Sequence, residues 1–134
     1  MLLKVTTPRA EKLSVTVDEL AFPAALGEMG VMPGHTPLMT VLDVGVLSYK
    51  SKNGTARVAV NRGFVEVLDD TIRVLTETCE TDSEIDVERA RKAYSRADER
   101  IKKAPADSSI DVLRAEYSMK RALARLSAAG SSPA

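Results

Sequence analysis

The sequence predicts an α+β protein in which an antiparallel β-sandwich or barrel is followed by an antiparallel α-helical hairpin. Two breaks in composition carry that reading. Six of the seven glycines and four of the six prolines precede residue 81, and the chain after it is rich in Ala, Arg, Glu and Lys, which are strong helix formers. Charge divides too: residues 1–80 hold 8 basic and 10 acidic side chains, residues 81–134 hold 11 and 9. Residues 1–82 are therefore assigned to strands and 83–134 to helices.

In the first part Leu13, Val15 and Val17 alternate with Ser14, Thr16 and Asp18, the period of a half-buried strand. Asn53-Gly54 separates Leu47 and Tyr49 from Val58 and Val60, a strong hairpin signal because both turn residues tolerate positive φ. A second hairpin is expected at Asp69-Asp70, between Phe64–Leu68 and Thr71–Thr76. Short strands with turns this frequent suit a sandwich or barrel.

In the second part Ser83-Glu-Ile-Asp86 and Ser108-Ser-Ile-Asp111 each predict a helix start, with a serine N-cap and an acid three residues later. Lys103-Ala-Pro-Ala-Asp-Ser-Ser109 is a breaker short enough to leave the two helices antiparallel. Ala90, Ala93, Tyr94, Ala97, Ile101 and Ala104 form one apolar stripe, and Val112, Ala115, Met119, Ala122 and Leu126 the other. The seam is poor in large side chains, so the hairpin needs docking, a ligand or a partner.

A helical wheel at about 100° per residue places Arg89 and Arg96 to one side of the first stripe. Arg114, Arg121 and Arg125 lie to the same side of the second. Closing the hairpin then brings Arg89, Arg96, Arg121 and Arg125 onto one face, with Lys92 and Arg100 beside them. Such a face is either a solvated one with snorkelling side chains or a site for a polyanion, because the guanidinium fork fits phosphate and carboxylate oxygens.

The chain has 134 residues, 19 basic and 19 acidic groups, and one cysteine. That length allows a real core. Zero net charge argues against a nucleic-acid partner, and a single cysteine excludes a disulfide scaffold or a multi-cysteine metal site. The apolar stretches fall far short of the roughly 20 residues that span a bilayer, so a membrane would be reached only through a partner. His35 is the only histidine, and no nucleophile-elbow pattern surrounds any serine. Gly30-Val-Met-Pro-Gly34 lacks the lysine and spacing of a phosphate loop. Cys79 reads as a buried thiol. No residue pattern points to catalysis or to a required cofactor.

Gly27-Glu-Met-Gly-Val-Met-Pro-Gly-His-Thr-Pro-Leu38 resembles the Gly-Glu-Leu-Gly-Ile-Leu-Pro-Gly-His-x-Pro-Leu segment of the epsilon subunit of F-type ATP synthase. Gly63-Phe-Val-Glu-Val67, Ile72 to Glu80 and Lys120-Arg-Ala-Leu-Ala-Arg-Leu126 are similar to its later blocks, in order. Met32, Arg62 and Cys79 stand where that family more often has leucine, glycine and alanine. The resemblance implies a sandwich of about ten strands that joins the gamma subunit to the c-ring, and a mobile hairpin. Extended toward the alpha/beta catalytic hexamer, the hairpin inhibits ATP hydrolysis. It implies a non-catalytic rotor component of the central stalk, peripheral on the cytoplasmic side of the bacterial inner membrane. The turn at Glu28-Met29 would face the c-ring, and His35 would lie near gamma.

Ile85-Asp86-Val-Glu-Arg89-Ala90 matches the family's ATP-binding motif, with Glu80 upstream and Arg96, Arg121 and Arg125 at its phosphate-side positions. By this resemblance ATP is a regulatory ligand. Ile85 and Asp86 would lie by the adenine and the arginines around the phosphates. A free-standing nucleotide-binding module and a small esterase-like enzyme using His35 are the competing classes.

Overall fold

The computed structural model describes residues 1–133. Ten strands precede two helices: β1 Leu2–Thr6, β2 Glu11–Thr16, β3 Glu19–Ala24, β4 Gly27–Val31, β5 Leu38–Leu42, β6 Gly45–Ser51, β7 Gly54–Val60, β8 Gly63–Leu68, β9 Thr71–Thr76, β10 Cys79–Thr81, α1 Val87–Lys103 and α2 Val112–Ala128. The strands run β10-β7-β6-β3-β5-β8-β9-β1-β2, with β4 paired to β3. Strands β3 and β5 touch through one pair, Ala24 and Leu42. At that corner the sheet folds over on itself. Leu20, Phe22, Leu47, Val58 and Val60 from one half then share a core with Leu3, Val5, Leu42, Val65, Val67, Ile72 and Val74 from the other. The expected sandwich and hairpin are both present.

Local chemistry explains the elements. In β1 and β9 alternate residues are buried, as a strand with one solvated face requires. Asp69 and Asp70 turn β8 into β9 with φ of 51° and 56°, the paired positive angles of a type I′ turn. The β6–β7 hairpin turns at Lys52-Asn53, and only Gly54 (φ 106°) takes a positive angle, so the glycine follows the turn rather than forming half of it. One pairing departs from the antiparallel expectation: β1 lies parallel to β9, Leu3 beside Ile72 and Val5 beside Val74. The two strands are far apart in sequence and no hairpin constrains their direction.

The helix starts lie three residues later than the serines suggest. Asp86 and Asp111 are the N-caps, each accepting from the N–H of Arg89 or Arg114 at 3.1 Å. Ser83 is taken up in a 3₁₀ turn, Asp82–Glu84, and Ser108 lies in the Asp107–Ile110 turn, where the Asp107 carboxylate accepts from the Ser109 N–H. Aspartate caps well and adds a favourable charge at the positive end of the helix dipole. Between the helices, Ala104–Ala106 forms the second 3₁₀ turn.

Ala90 and Ala97 of α1 and Ala115, Ala122 and Leu126 of α2 are buried in the seam, while Val112, the first residue of α2, is exposed. A second buried face of α2 is not apparent in the sequence. Ala124 and Ala128, flanked by Tyr117, pack on Val44, Ala59 and Ile85 beside Val46 and Val87. Helix α2 thus lies on the outer side of β6 and β7, which explains why Val58, Ala59 and Val60 are buried in succession. Small side chains at those positions let helix and sheet approach closely.

Candidate functional site

Register brings the sandwich into the hairpin's arginine face. Strand β10 pairs with β7 so that Glu80 lies opposite Ala59, and facing residues of an antiparallel pair share one side of the sheet. That is the side α2 covers. The Glu80 carboxylate therefore meets Arg125, whose Nε donates to Oε1 at 2.7 Å. Around this pair is a cleft of about 340 Å³ lined by Glu80, Glu84, Asp86, Arg89, Ala90, Ala93, Arg96 and Arg125. A hollow of about 190 Å³ adjoins it, sharing Ala93, Arg96 and Arg125 and adding Ala97, Arg100, Ala115, Ser118 and Arg121.

The two spaces differ in charge. Three carboxylates and three arginines line the first, the carboxylates at the β10–α1 corner. The second has four arginines and no acid. Ala90 and Ala93 leave room between the helices. Arg121 donates to Ser118 Oγ at 3.1 Å, and Arg96 Nε to the Lys92 carbonyl oxygen at 3.5 Å. Both thus keep donors directed elsewhere than a carboxylate. Closing the hairpin brings Arg96, Arg121 and Arg125 to one hollow, whereas Arg89, which the wheel places with them, lines only the carboxylate-bearing cleft; Glu80 offsets part of the arginines' repulsion.

Ile85 does not line the cleft. It is buried with Ala124 and Ala128, beneath the α2–sheet contact. Asp86 reaches the rim while its Oδ1 caps α1. Glu28 and Met29 are strand residues of β4 paired with Pro23 and Phe22, and the turn itself is Ala25-Leu26, with Leu26 fully exposed. The Ala24–Gly27 pairing leaves only those two residues to turn. Exposed His35 closes the Met32–His35 turn through its N–H and places Nδ1 2.7 Å from the Thr36 carbonyl oxygen. These three residues lie apart from the cleft.

Sequence reasoning missed Glu84, Lys12 and Tyr117, and marked Arg62 only as a departure from the family pattern. Lys12 of β2 donates to Glu84 Oε2 at 2.7 Å, tying the sheet edge to the turn before α1. The Glu84 carboxyl is lowered to about 2, first by Lys12 and then by the Thr81 N–H and hydroxyl. A depressed folded value means the clip stabilises fully above the ordinary carboxylate value of 4.5 and is lost as pH falls through about 2. A carboxyl-carbon NMR titration should place the Glu84 midpoint near pH 2 and move it upward in Lys12→Met. An ordinary midpoint in the unsubstituted protein would show that the clip is absent in solution. Tyr117 could have been found from its spacing to Ala124 and Ala128, a stripe distinct from the seam. Cys79 is buried, which pushes its thiol up to about 11 and leaves it a core residue.

Among the described residues no helix is long and apolar enough to cross a membrane. Residues 1–82 match the family model "ATP synthase, Delta/Epsilon chain, beta-sandwich domain", and residues 83–130 match "ATP synthase, Delta/Epsilon chain, long alpha-helix domain". An ATP synthase epsilon chain of Syntrophotalea carbinolica is 49% identical over 106 residues, 78% of this chain and 77% of that one. The epsilon chain of Trichlorobacter lovleyi is 45% identical over 103 residues, 77% and 75% of the two chains. Among solved structures, a chain of the Euglena gracilis mitochondrial ATP synthase OSCP/F1/c-ring assembly superposes with a TM-score of 0.76 at 25% identity, covering 90% of this chain and 75% of that one. A chain of the Tetrahymena thermophila central stalk/c-ring shares the fold, with a TM-score of 0.53 at 18% identity over 68% and 69%. Both halves of the fold thus match, in order and over nearly the whole length, and the chain belongs to the ATP synthase delta/epsilon-chain family.

Proposed function

We propose that this chain is a non-catalytic rotor subunit of the central stalk in a proton-translocating F-type ATP synthase. Its sandwich joins gamma to the c-ring, and its hairpin is a nucleotide-sensing brake on ATP hydrolysis. The complex reaches the cytoplasmic side of a bacterial inner membrane through the c-ring. Two surfaces support the protein contacts. Val41, Phe64 and Leu75 stand in cross-strand register on β5, β8 and β9, and are 49%, 53% and 55% exposed, an apolar ladder suited to a protein partner such as gamma. Glu28, Met29 and the exposed Leu26 form the candidate c-ring edge, and His35 lies on the loop that follows β4.

The observation that carries the nucleotide reading is the charge polarity of the cleft. Glu80, Glu84 and Asp86 offer acceptors to the amino group of adenine and to ribose hydroxyls at one end. Arg96, Arg121 and Arg125 offer forks to phosphate oxygens at the other. Ile85 supports this corner from behind rather than touching the base. Because the site takes Glu80 from the sandwich, Arg96 from α1 and Arg121 from α2, it exists only when the hairpin is folded down. ATP therefore stabilises that form by mass action and withholds the basic helices from the catalytic hexamer.

Calorimetry on the unsubstituted protein and on Arg121→Ala/Arg125→Ala tests this. Two charge-assisted contacts at roughly 1.5–3 kcal/mol each predict a loss of affinity on the order of 100-fold or more. Absence of ATP binding by the unsubstituted protein, or equal binding by both, removes the reading.

A further inference from the structure

A second contact between sandwich and hairpin involves two residues that line neither the cleft nor its hollow. The Arg62 guanidinium carbon lies 3.6 Å from the centroid of the Tyr117 ring, well within cation–π range. Tyr117 is on the face of α2 that packs on the sheet. Its hydroxyl is buried and makes no hydrogen bond among the described residues, so its contribution lies in the ring face. The Arg121 guanidinium, which belongs to the cationic hollow, stands 5.4 Å from the same centroid.

Arg62 reaches this position under constraint. Its φ is 49°, a region that a residue with a long side chain seldom adopts. Its neighbours hold it there. The Asn61 N–H donates to Thr76 Oγ1 at 3.0 Å, the Thr76 hydroxyl donates to the Asn61 carbonyl oxygen at 3.1 Å, and the Glu77 N–H donates to the Arg62 carbonyl oxygen at 3.2 Å. Glycine would occupy the same turn without strain. What arginine adds is the contact with Tyr117.

We propose that Arg62 and Tyr117 form a latch that holds the hairpin on the sandwich in the absence of ligand, and that Arg121, shared by ring and hollow, links the latch to the phosphate end of the cleft. The inference rests on the reading above that the hairpin leaves the sandwich. The Lys120–Asp43 pair at 3.6 Å and the Arg125–Glu80 pair are further ties that remain when the latch is removed, so release is partial.

Hydrogen exchange on the full chain, with and without ATP, is the test. Arg62→Gly should speed exchange of the α2 amides on the order of ten-fold. The amides of β8 and β9 should stay at least as protected, because glycine suits the turn. Tyr117→Leu should release α2 similarly, whereas Tyr117→Phe keeps the ring face and should leave exchange unchanged. Unchanged α2 exchange in Arg62→Gly, or equal release by the Phe and Leu variants, overturns the latch. Adding ATP should restore slow exchange in Arg62→Gly. If ATP slows exchange in no variant while Arg62→Gly still frees α2, the nucleotide reading fails and the latch stands.

Discussion

Gly63→Ala should destabilise the sandwich by about 4 kcal/mol, among the largest effects available to a single methyl group. At Gly63 φ is 149°, and an added Cβ would sit 1.7 Å from the Leu75 carbonyl oxygen and 2.7 Å from its carbon. Both obstructing atoms are backbone, so no rotamer change relieves the clash. Either β9 moves away or the pairing of Gly63 with Thr76 opens. The cost combines overpacking with strain in a region that side chains rarely adopt. Urea unfolding read by circular dichroism measures it. A midpoint within experimental error of the unsubstituted protein would show that the β8–β9 corner differs from the one described. Gly54→Ala is the control: its φ is 106°, but nothing lies within 4 Å of the added methyl, so strain acts alone and the loss should be much smaller.

Truncation after residue 82 should leave a folded sandwich, whereas residues 83–134 alone should be largely unfolded. The first core is closed without the hairpin: Leu3, Val5, Phe22, Leu42, Leu47, Val65 and Ile72 are all buried among strand residues. The second is shared, since Ala124 and Ala128 are covered by Val44 and Ala59. Without the sheet, α1 and α2 keep an alanine-rich seam, and helices of 17 residues are marginal in water without tertiary packing. A cooperative thermal transition in residues 1–82 and weak helicity in 83–134 are the expected results. Cooperative melting of the isolated hairpin would sink the argument. In the assembled complex the same truncation should raise ATP hydrolysis and preserve assembly, because the sandwich surfaces proposed to meet gamma and the c-ring are untouched. Unchanged hydrolysis across nucleotide concentrations would count against the brake.

The arginine face was legible from the sequence because helical period and the sense of a short antiparallel connection fix it. Arg96, Arg121 and Arg125 converge on one hollow, while Arg89, on the same predicted stripe, ends in the adjoining cleft. The paired carboxylate came only from the family resemblance, not from any local pattern. Glu80 enters the site only because β10 registers with β7 opposite Ala59, a pairing of segments some twenty residues apart that no local pattern specifies. Tyr117 was hidden for a related reason: alanines at 124 and 128 look like helix formers until a sheet is laid against them.

Local chemistry, written in neighbouring residues, determined the turn at Asp69-Asp70, the alternation in β1, β3 and β9, and the helical hairpin itself. These follow from side-chain period and from which residues tolerate a given φ. Tertiary structure alone decided the parallel pairing of β1 with β9, the seating of α2 on β6 and β7, and the meeting of Arg62 with Tyr117. In each case the outcome depends on which surfaces exclude water together and which polar groups find partners once they do. That selection is made among distant segments, and it is what turned a solvated-looking stripe of arginines into one wall of a cleft.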